Sequence, residues 1–308
     1  MPSNDSPPLT LLVLAAGMGS RYGGLKQMDP VGPGGETILD YSVFDAVRSG
    51  FSRVVFVIRS EMREAFESQV ACKFSSQIGV DYVIQDPHDL PQGFSAPPER
   101  VKPWGTGHAV LAARDVINGP FAVVNADDFY GRDSFAKVAQ FFQETADQET
   151  AYAIAAFRLA NTLSENGTVA RGICTVGKNS HLLGVEELTN ISRTATGAQN
   201  TAPDGTTREL TGDEPASMNF WALRPALFDQ LEEEFRAFLS DPSRLEKGEF
   251  YIPAAIDARI KKGDATVSVL KTDSEWFGVT YKEDRPGVIA SIASLVDSGE
   301  YPDSLWSS

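Results

Sequence analysis

Short apolar runs alternate with amphipathic segments through the first half of this sequence, and this alternation constrains the fold more than any other feature. Each run has the length and the continuous apolar character of a strand covered on both faces of a parallel sheet. The predicted strands are 10–16, 53–59, 81–85 and 121–127, and the predicted helices are 36–49, 61–70, 108–117 and one containing Phe135 and Phe142. Strand–helix–strand units predict an α/β fold with three layers (α/β/α) and a mostly parallel, mixed sheet.

From residue 151 onward the strand patterns lie closer together. The predicted strands are 151–157, 171–176, 181–188 and 217–223, followed by a helix over 227–239. Two long polar stretches, 86–103 and 194–215, are rich in turn-forming residues and are predicted to be loops. Residues 286–308 are predicted to form one amphipathic C-terminal helix and a polar tail.

The charge balance excludes some classes of partner. The 308 residues include 42 acidic and 27 basic side chains, a formal net charge of -15. A nucleic-acid surface is not expected, since phosphate backbones need a basic stripe, and an anionic membrane is disfavoured for the same reason. The start of the chain lacks a signal-peptide pattern, and no apolar run reaches membrane-spanning length. A cytoplasmic protein is expected, and nothing in the sequence fixes its oligomeric state.

A glycine-rich stretch with two cations follows the first predicted strand. It reads LAAGMGSRYGGLK over residues 14–26. Glycines let backbone N–H groups approach phosphate oxygens closely, and Arg21 and Lys26 can add positive charge. The dinucleotide fingerprint fails because Tyr22 stands where it needs glycine, and the Walker pattern fails because Leu25 precedes Lys26. The stretch predicts a phosphate-binding loop of another kind.

The whole string closely resembles the signature loop of the sugar-phosphate nucleotidyltransferases, also called nucleotide-sugar pyrophosphorylases. The resemblance implies a Rossmann-like fold of the nucleotide-diphospho-sugar transferase type and a loop that wraps a nucleoside triphosphate. It assigns Arg21 and Lys26 to the neutralisation of charge at the transferring phosphoryl group. The loop residues that it places on the nucleotide are Leu14, Ala15, Ala16, Gly17, Met18, Gly19, Ser20, Arg21 and Lys26.

Two further segments resemble the base-binding part of that family. Gln85 stands where the uridylyltransferases carry a glutamine that reads the pyrimidine edge, and a side-chain amide has both a donor and an acceptor for that task. WGTGHAVLAA, residues 104–113, resembles the N-acetylglucosamine-1-phosphate uridylyltransferases, here without their acetyltransferase domain. Gly105 and Thr106 would contact the base, while His108 is expected to pack at the helix start.

The predicted strand 121–127 ends in two carboxylates. It resembles the family segment that holds a divalent metal ion, which assigns Asp127 to Mg²⁺ and to the catalytic set; Asp128 is expected to support the turn. Mg²⁺ prefers carboxylate and substrate phosphate oxygens. The second metal ligand lies near the C-terminus in the family, where this chain offers Thr280 or Asp284.

Several later segments resemble the sugar-binding half of such a site. Many relatives carry a lysine directly after their sugar-binding glutamate, and this chain has Glu187 there. The residues that the resemblance assigns to the sugar are Gly172, Glu186, Asn219, Glu249 and Tyr251.

Together these motifs predict one nucleotidyltransferase domain over residues 9–285, with a nucleotide half over about 9–150 and a sugar half over about 151–285. The expected partners are a nucleoside triphosphate, with UTP favoured, and a sugar 1-phosphate, with Mg²⁺ as cofactor. Alternatives are a cytidylyl-, thymidylyl- or guanylyltransferase on another phosphorylated substrate. A nucleotide-sugar-dependent glycosyltransferase and a non-catalytic nucleotide sensor also remain open.

Overall fold

The computed structural model describes residues 8–17, 29–278 and 282–306, and within these ranges eleven strands share one hydrogen-bonded sheet. Its strands in chain order are β1 (Thr10–Leu14), β2 (Arg53–Ile58), β3 (Gly79–Ile84), β4 (Phe121–Asn125), β6 (Ala151–Arg158), β7 (Val169–Val176), β8 (Leu182–Thr194), β9 (Gly197–Thr201), β10 (Thr207–Leu210), β11 (Pro215–Leu223) and β12 (Thr266–Lys271). A separate two-stranded ribbon joins β5 (Asp128–Phe129) to β13 (Phe277–Gly278).

Helices follow most of the strands in the first half and flank the sheet. They are α1 (Ile38–Arg48), α2 (Arg63–Phe66), which runs through a π-helical turn (Glu67–Ala71) into α3 (Cys72–Phe74), α4 (Thr106–Leu111), α5 (Arg132–Glu144), α6 (Ala226–Leu239), α7 (Ile252–Lys262) and α8 (Arg285–Asp297). None of the helices in the described ranges is long and apolar enough to cross a bilayer.

The central row of the sheet has the strand order β3-β2-β1-β4-β11-β6-β12. Strands β1 to β4 are parallel to one another, and β12 is parallel to β6. Strand β11 runs antiparallel to both of its neighbours, β4 and β6. Parallel strands end at the same edge of a sheet, so the residues that follow β1, β3 and β4 are brought to one edge.

Alternating side chains of the central strands bury two separate clusters. In β1, Leu11 and Val13 join the cluster under α1, α3 and α5, whereas Leu12 and Leu14 join the cluster under α4, α6 and α7. A strand that is apolar on both faces needs helices on both faces. The predicted three-layer α/β/α class with a mostly parallel, mixed central sheet is therefore confirmed.

A second antiparallel group, β7-β8-β9-β10, branches from the first half of β11. Ala216 and Ser217 of β11 pair with β7, and Trp221 to Leu223 pair with β4. Between these sections the register of β11 against β6 breaks, and Asn219 has a φ of 62°, a left-handed conformation that is uncommon for residues other than glycine. On one side of this bend β11 pairs with β7, and on the other side it pairs with β4.

The loop predicted over 194–215 is wrong, because β9 and β10 lie inside it. Ala198 and Asn200 of β9 are buried, whereas Gly197, Gln199 and Thr201, which alternate with them, are partly exposed. An antiparallel strand with one solvated face needs few apolar residues, so a polar stretch can form a strand. The loop predicted over 86–103 holds neither strand nor helix and is confirmed, whereas the helix predicted over 108–117 ends at Leu111.

The segment after α8 packs against α1. Tyr301 and Leu305 are buried, so this tail is not the purely polar end that the sequence predicts. The Tyr301 hydroxyl donates a hydrogen bond of 2.7 Å to the Asp45 carboxylate. Burial raises the pKa of Asp45 to about 7, and the nearby Arg48 opposes this rise.

Helix α4 begins at a glycine whose backbone requires the absence of a side chain. Gly105 has a φ of 99°, and a Cβ there would lie 2.6 Å from the carbonyl oxygen of Phe250. The same carbonyl accepts a 2.9 Å hydrogen bond from the Gly107 N–H. The start of α4 is thus docked on the segment that precedes α7.

We expect Gly105→Ala to lower the free energy of unfolding far more than Gly93→Ala. Gly93 also has a positive φ, of 97°, but no atom in the part of the chain that the structure describes lies within 4 Å of a Cβ built on it. A side chain at a positive φ costs about 1–3 kcal/mol, and only Gly105→Ala adds overlap with a backbone atom. Urea unfolding of both variants measures the difference, and equal losses would contradict the proposed docking.

Candidate active site

The first part of the predicted nucleotide loop lies at the carboxyl end of β1. Leu14, Ala15 and Ala16 are buried, and the Ala15 N–H donates a 2.9 Å hydrogen bond to the Val57 carbonyl of β2. Gly17 is exposed, and no atom of the described ranges lies within 4 Å of a Cβ built on it. The chain therefore leaves the sheet at Gly17 with its backbone open to solvent. The predicted residues Met18, Gly19, Ser20, Arg21, Lys26 and Thr280 lie outside the described ranges.

The three residues predicted to contact the base lie together. Gln85 follows β3, and its Nε2 donates a 3.0 Å hydrogen bond to the Gly105 carbonyl. Thr106 is next in the chain, and its Oγ1 accepts a 3.2 Å hydrogen bond from the N–H of Ile252 at the start of α7. Residues from the ends of β3, α4 and α7 thus meet at one place.

Asp127 and Asp128 follow β4 and differ in their surroundings. The side chain of Asp127 is exposed, and that of Asp128 is half-buried. Asp128 Oδ2 accepts hydrogen bonds from Asn125 Nδ2 at 2.8 Å and from the Tyr130 hydroxyl at 3.3 Å. Burial and the charge of Asp127 raise the pKa of Asp128. Asp128 is therefore held by the protein, as expected for a residue that supports the turn, and Asp127 offers a carboxylate at the sheet edge.

A cavity of about 310 Å³ has Asp128 in its wall. Two of the predicted sugar-binding residues, Gly172 and Asn219, lie in its wall. The residues that line it are Asn125, Asp128, Ala170, Arg171, Gly172, Val185, Glu187, Ser217, Met218, Asn219, Pro253 and Trp276. The cavity thus brings residues of the predicted sugar half beside the end of β4.

Of the two adjacent glutamates on β8, Glu187 lines the cavity. A Cβ built on Gly172 would lie 3.4 Å from Glu187 Oε2, whereas Glu186 forms an exposed ion pair of 2.7 Å with Arg208. The Gly-Val-Glu motif selects Glu186, which is not among the residues that line this cavity, and it does not select Glu187. Strand alternation could have found it, because Val185 and Glu187 share the face that contacts Gly172.

Asn219 is held by two other side chains. Its Nδ2 donates a 2.7 Å hydrogen bond to Asn125 Oδ1, and its Oδ1 accepts a 3.0 Å hydrogen bond from Trp221 Nε1. An amide nitrogen has two hydrogens and a carbonyl oxygen has two lone pairs, so each atom keeps one further bonding position. Because Asn125 in turn donates to Asp128, a chain of hydrogen bonds links β11 to the carboxylates.

Arg171 is a buried cation shared by this cavity and a second one, and sequence reasoning missed it. Its guanidinium donates to the carbonyls of Thr162 and Ala170 and lies over the Trp276 ring, with Cζ 4.7 Å from the ring centroid. Burial lowers the pKa of Arg171 to about 10, against the opposing effect of Asp128, Glu187 and Asp284. The arginine stays charged at neutral pH and offsets these carboxylates.

Two other predicted sugar-binding residues lie beside the base-binding group instead. The Tyr251 hydroxyl donates to Glu249, and Glu249 forms a 2.9 Å ion pair with Lys102. They flank Phe250, on which α4 is docked, and neither is among the residues that line the 310 Å³ cavity.

Asp284, one of the two predicted second metal ligands, belongs to the second cavity, of about 400 Å³. Its Oδ1 accepts hydrogen bonds from Ser164 Oγ at 3.0 Å and Asn166 Nδ2 at 2.8 Å. Within the described ranges, no group of three or more His, Cys, Asp or Glu side chains could hold a metal ion. Among the residues that the structure describes, Asp127 is an exposed carboxylate at the edge of the sheet. A single carboxylate of this kind suits a Mg²⁺ ion whose other ligands are mostly substrate phosphate oxygens.

Solved structures with similar folds have low sequence identity to this chain. A Bacillus anthracis protein assigned as a glucose-1-phosphate thymidylyltransferase, in complex with sucrose, has 15% identity and a TM-score of 0.61, with 92% of this chain and 95% of that chain covered. A UDP-glucose pyrophosphorylase in complex with UDP-glucose has 16% identity and a TM-score of 0.60, with 93% and 99% covered. An Acinetobacter baumanii UDP-glucose pyrophosphorylase has 14% identity and a TM-score of 0.56, with 92% and 93% covered.

These likenesses establish the fold, and no curated protein matches the chain. The family comparison is more informative, because residues 10–174 match the family described as nucleotidyl transferase. The match covers more than half of the chain and includes the glycine-rich loop, Gln85, the start of α4 and both aspartates. The chain therefore belongs to the nucleotidyl transferase family and is an enzyme of the nucleotidyltransferase type.

Proposed function

We propose that this enzyme converts a nucleoside triphosphate and a sugar 1-phosphate into a nucleoside diphosphate sugar and pyrophosphate. The observation that carries the proposal is the cavity in which Gly172, Glu187 and Asn219 lie beside Asp128. A pocket with several polar groups, whose wall includes the residue that follows the candidate metal ligand Asp127, suits a hydroxyl-rich substrate that must meet a triphosphate. The structural neighbours, a glucose-1-phosphate thymidylyltransferase and UDP-glucose pyrophosphorylases, favour the same substrate class.

The reaction requires no protein nucleophile. An oxygen of the sugar phosphate forms a bond to the α-phosphorus of the triphosphate, the bond from that phosphorus to the oxygen bridging to the β-phosphate breaks, and pyrophosphate leaves. Catalysis then consists of alignment and stabilisation of charge. Arg21 and Lys26 would supply positive charge to the triphosphate, and the open backbone at Gly17 would begin the phosphate-binding loop.

Asp127 would hold the magnesium ion, which when bound supplies positive charge beside the phosphate oxygens. The position of Asp127 supports this role, because its side chain is exposed and it lies two residues after β4 at the edge of the sheet. Thr280 or Asp284 as a second ligand stays a prediction.

Glu187, together with Gly172 and Asn219, would bind the sugar hydroxyls. This revises the sequence-based choice of Glu186, whose ion pair with Arg208 lies outside the cavity. Glu249 and Tyr251 would lie nearer the base than the sugar, because they flank the segment on which Gly105 is docked. The single domain over 9–285, with a nucleotide half and a sugar half, and a cytoplasmic location are part of the same proposal.

UTP is the favoured nucleotide, because Gln85, Gly105 and Thr106 match the base-binding positions of uridylyltransferases and lie together. Thymidine triphosphate is the second candidate, since one structural neighbour is assigned as a thymidylyltransferase. Release of pyrophosphate, measured for the common nucleoside triphosphates against a panel of sugar 1-phosphates with Mg²⁺, tests the function directly. Absence of pyrophosphate with every pair would contradict it.

We expect Lys26→Ala to reduce turnover by roughly a hundredfold or more, because a charge at the transferring phosphoryl group acts mainly in the transition state. Pyrophosphate release under saturating substrates measures the change, and circular dichroism checks the fold. Lys178→Ala is the matched control, since Lys178 is exposed in the turn between β7 and β8 and should leave turnover unchanged. Normal turnover in Lys26→Ala would refute the assigned role.

The two adjacent glutamates allow a matched test of the sugar pocket. We expect Glu187→Gln to raise the KM for the sugar 1-phosphate by about tenfold, because a hydrogen bond from a hydroxyl to a charged acceptor is weakened. The KM for the nucleotide should stay unchanged. Glu186→Gln should leave both KM values unchanged. A raised KM for the sugar 1-phosphate in Glu186→Gln, with none in Glu187→Gln, would identify Glu186 as the sugar ligand instead.

A further inference from the structure

His108 and its neighbours determine which atom of Gln85 is free to bind a ligand. His108 is 4% exposed and lies in α4, and its ring centroid is 5.1 Å from that of Phe235. Its Nε2 lies 3.1 Å from the backbone carbonyl oxygen of Asp89. A carbonyl oxygen only accepts hydrogen bonds, so Nε2 must carry the hydrogen.

The other ring nitrogen of His108 must then be an acceptor. Burial lowers the pKa of His108, which keeps the imidazole neutral at physiological pH. A neutral imidazole with its hydrogen on Nε2 presents a lone pair at Nδ1. Gln85 Nε2 lies 3.3 Å from this Nδ1.

The amide of Gln85 is consequently held in one orientation. Its Nε2 also lies 3.0 Å from the Gly105 carbonyl, so both hydrogens of the amide face fixed acceptors. Rotating the amide by 180° would place Oε1 against two acceptors. No donor within the described part of the chain hydrogen-bonds to Oε1, and Gln85 is 4% exposed.

The long stretch between β3 and α4 supports this arrangement, because Asp89 belongs to it. The stretch is itself anchored at several points. Trp104 Nε1 donates a 2.8 Å hydrogen bond to the Pro87 carbonyl, and Arg100 donates 2.8 Å hydrogen bonds to the carbonyls of Leu245 and Gly248. The Asp89 carbonyl is therefore part of a fixed structure that orients the imidazole.

We propose that His108 is a positioning residue for base selection: it orients Gln85 so that Oε1 alone faces the nucleotide and accepts the ring N3–H of uracil or thymine. The inference rests on the proposed function, which places a nucleoside triphosphate at this sheet edge. It revises the expectation that Gln85 uses both a donor and an acceptor. Cytosine has a lone pair at N3, which would face another acceptor and weaken binding.

Three nucleotides test the role of Oε1 without any substitution in the protein. Binding of UTP, 5-methyluridine triphosphate and N3-methyluridine triphosphate is measured by calorimetry with Mg²⁺. The methyl group at N3 removes the donor, and the methyl group at C5 is the matched control. We expect N3-methylation to weaken binding by roughly 10- to 100-fold, whereas 5-methylation has little effect.

The role of His108 is tested by the ratio of CTP to UTP dissociation constants. His108→Phe keeps an aromatic ring beside Phe235 and removes the acceptor for Gln85, so we expect this ratio to fall by about fivefold or more. If His108 only supports the fold, His108→Phe should weaken the binding of CTP and UTP equally and leave the ratio of their dissociation constants unchanged. His88→Phe is the control, because His88 is exposed and pairs with Asp86.

The outcomes separate the two proposals. Equal binding of UTP and N3-methyluridine triphosphate, or CTP binding as tight as UTP, would overturn the inference while leaving the proposed function intact. An unchanged CTP-to-UTP ratio in a folded His108→Phe protein would overturn the positioning role. Failure of every nucleoside triphosphate to bind or to release pyrophosphate would instead overturn the proposed function.

Discussion

Strand β11 holds the two parts of the molecule together, and the position of the site depends on it. Its first half pairs with β7, its second half pairs with β4, and β6 pairs with it along the other side. Between the two halves the register of β11 against β6 shifts, and the chain bends at Asn219, where φ is 62°. The cavity opens beside this bend, and the Asn219 side chain bonds directly to Asn125 at the end of β4.

Hydrogen bonds within the protein also determine which polar atoms at this edge of the sheet remain available to a ligand. Asn219 donates to Asn125, Asn125 donates to Asp128, and on the other side of the edge Gln85 donates to Gly105 and faces the lone pair of His108. In each case a hydrogen bond within the protein occupies one donor or acceptor of a polar side chain, so that only its other donors or acceptors are available to a ligand.

The sequence predicted the fold well where periodicity is strong. The four parallel strands of the first half and the helices that cover them were found because buried strands are continuously apolar. Strands β9 and β10 were missed because one face is solvated and few of their residues are apolar. In the candidate site, Gln85, Gly105, Gly172 and Asn219 followed from motifs, whereas the choice between Glu186 and Glu187 depends on strand register, and Arg171 has no motif. Register and long-range charge pairing are properties of the folded chain.

The packing of the final described residues on α1 has a consequence for synthesis on the ribosome. Ile38 and Tyr41 of α1 share a cluster with Phe129, Val288, Tyr301 and Leu305. When only β1 to β4 have been synthesised, Val288, Tyr301 and Leu305 are not yet present. The apolar surface of α1 that they bury is then exposed to water. Transiently exposed surface of this kind favours aggregation, so the folding yield of the protein in cells should be sensitive to chaperones that bind the unfinished chain.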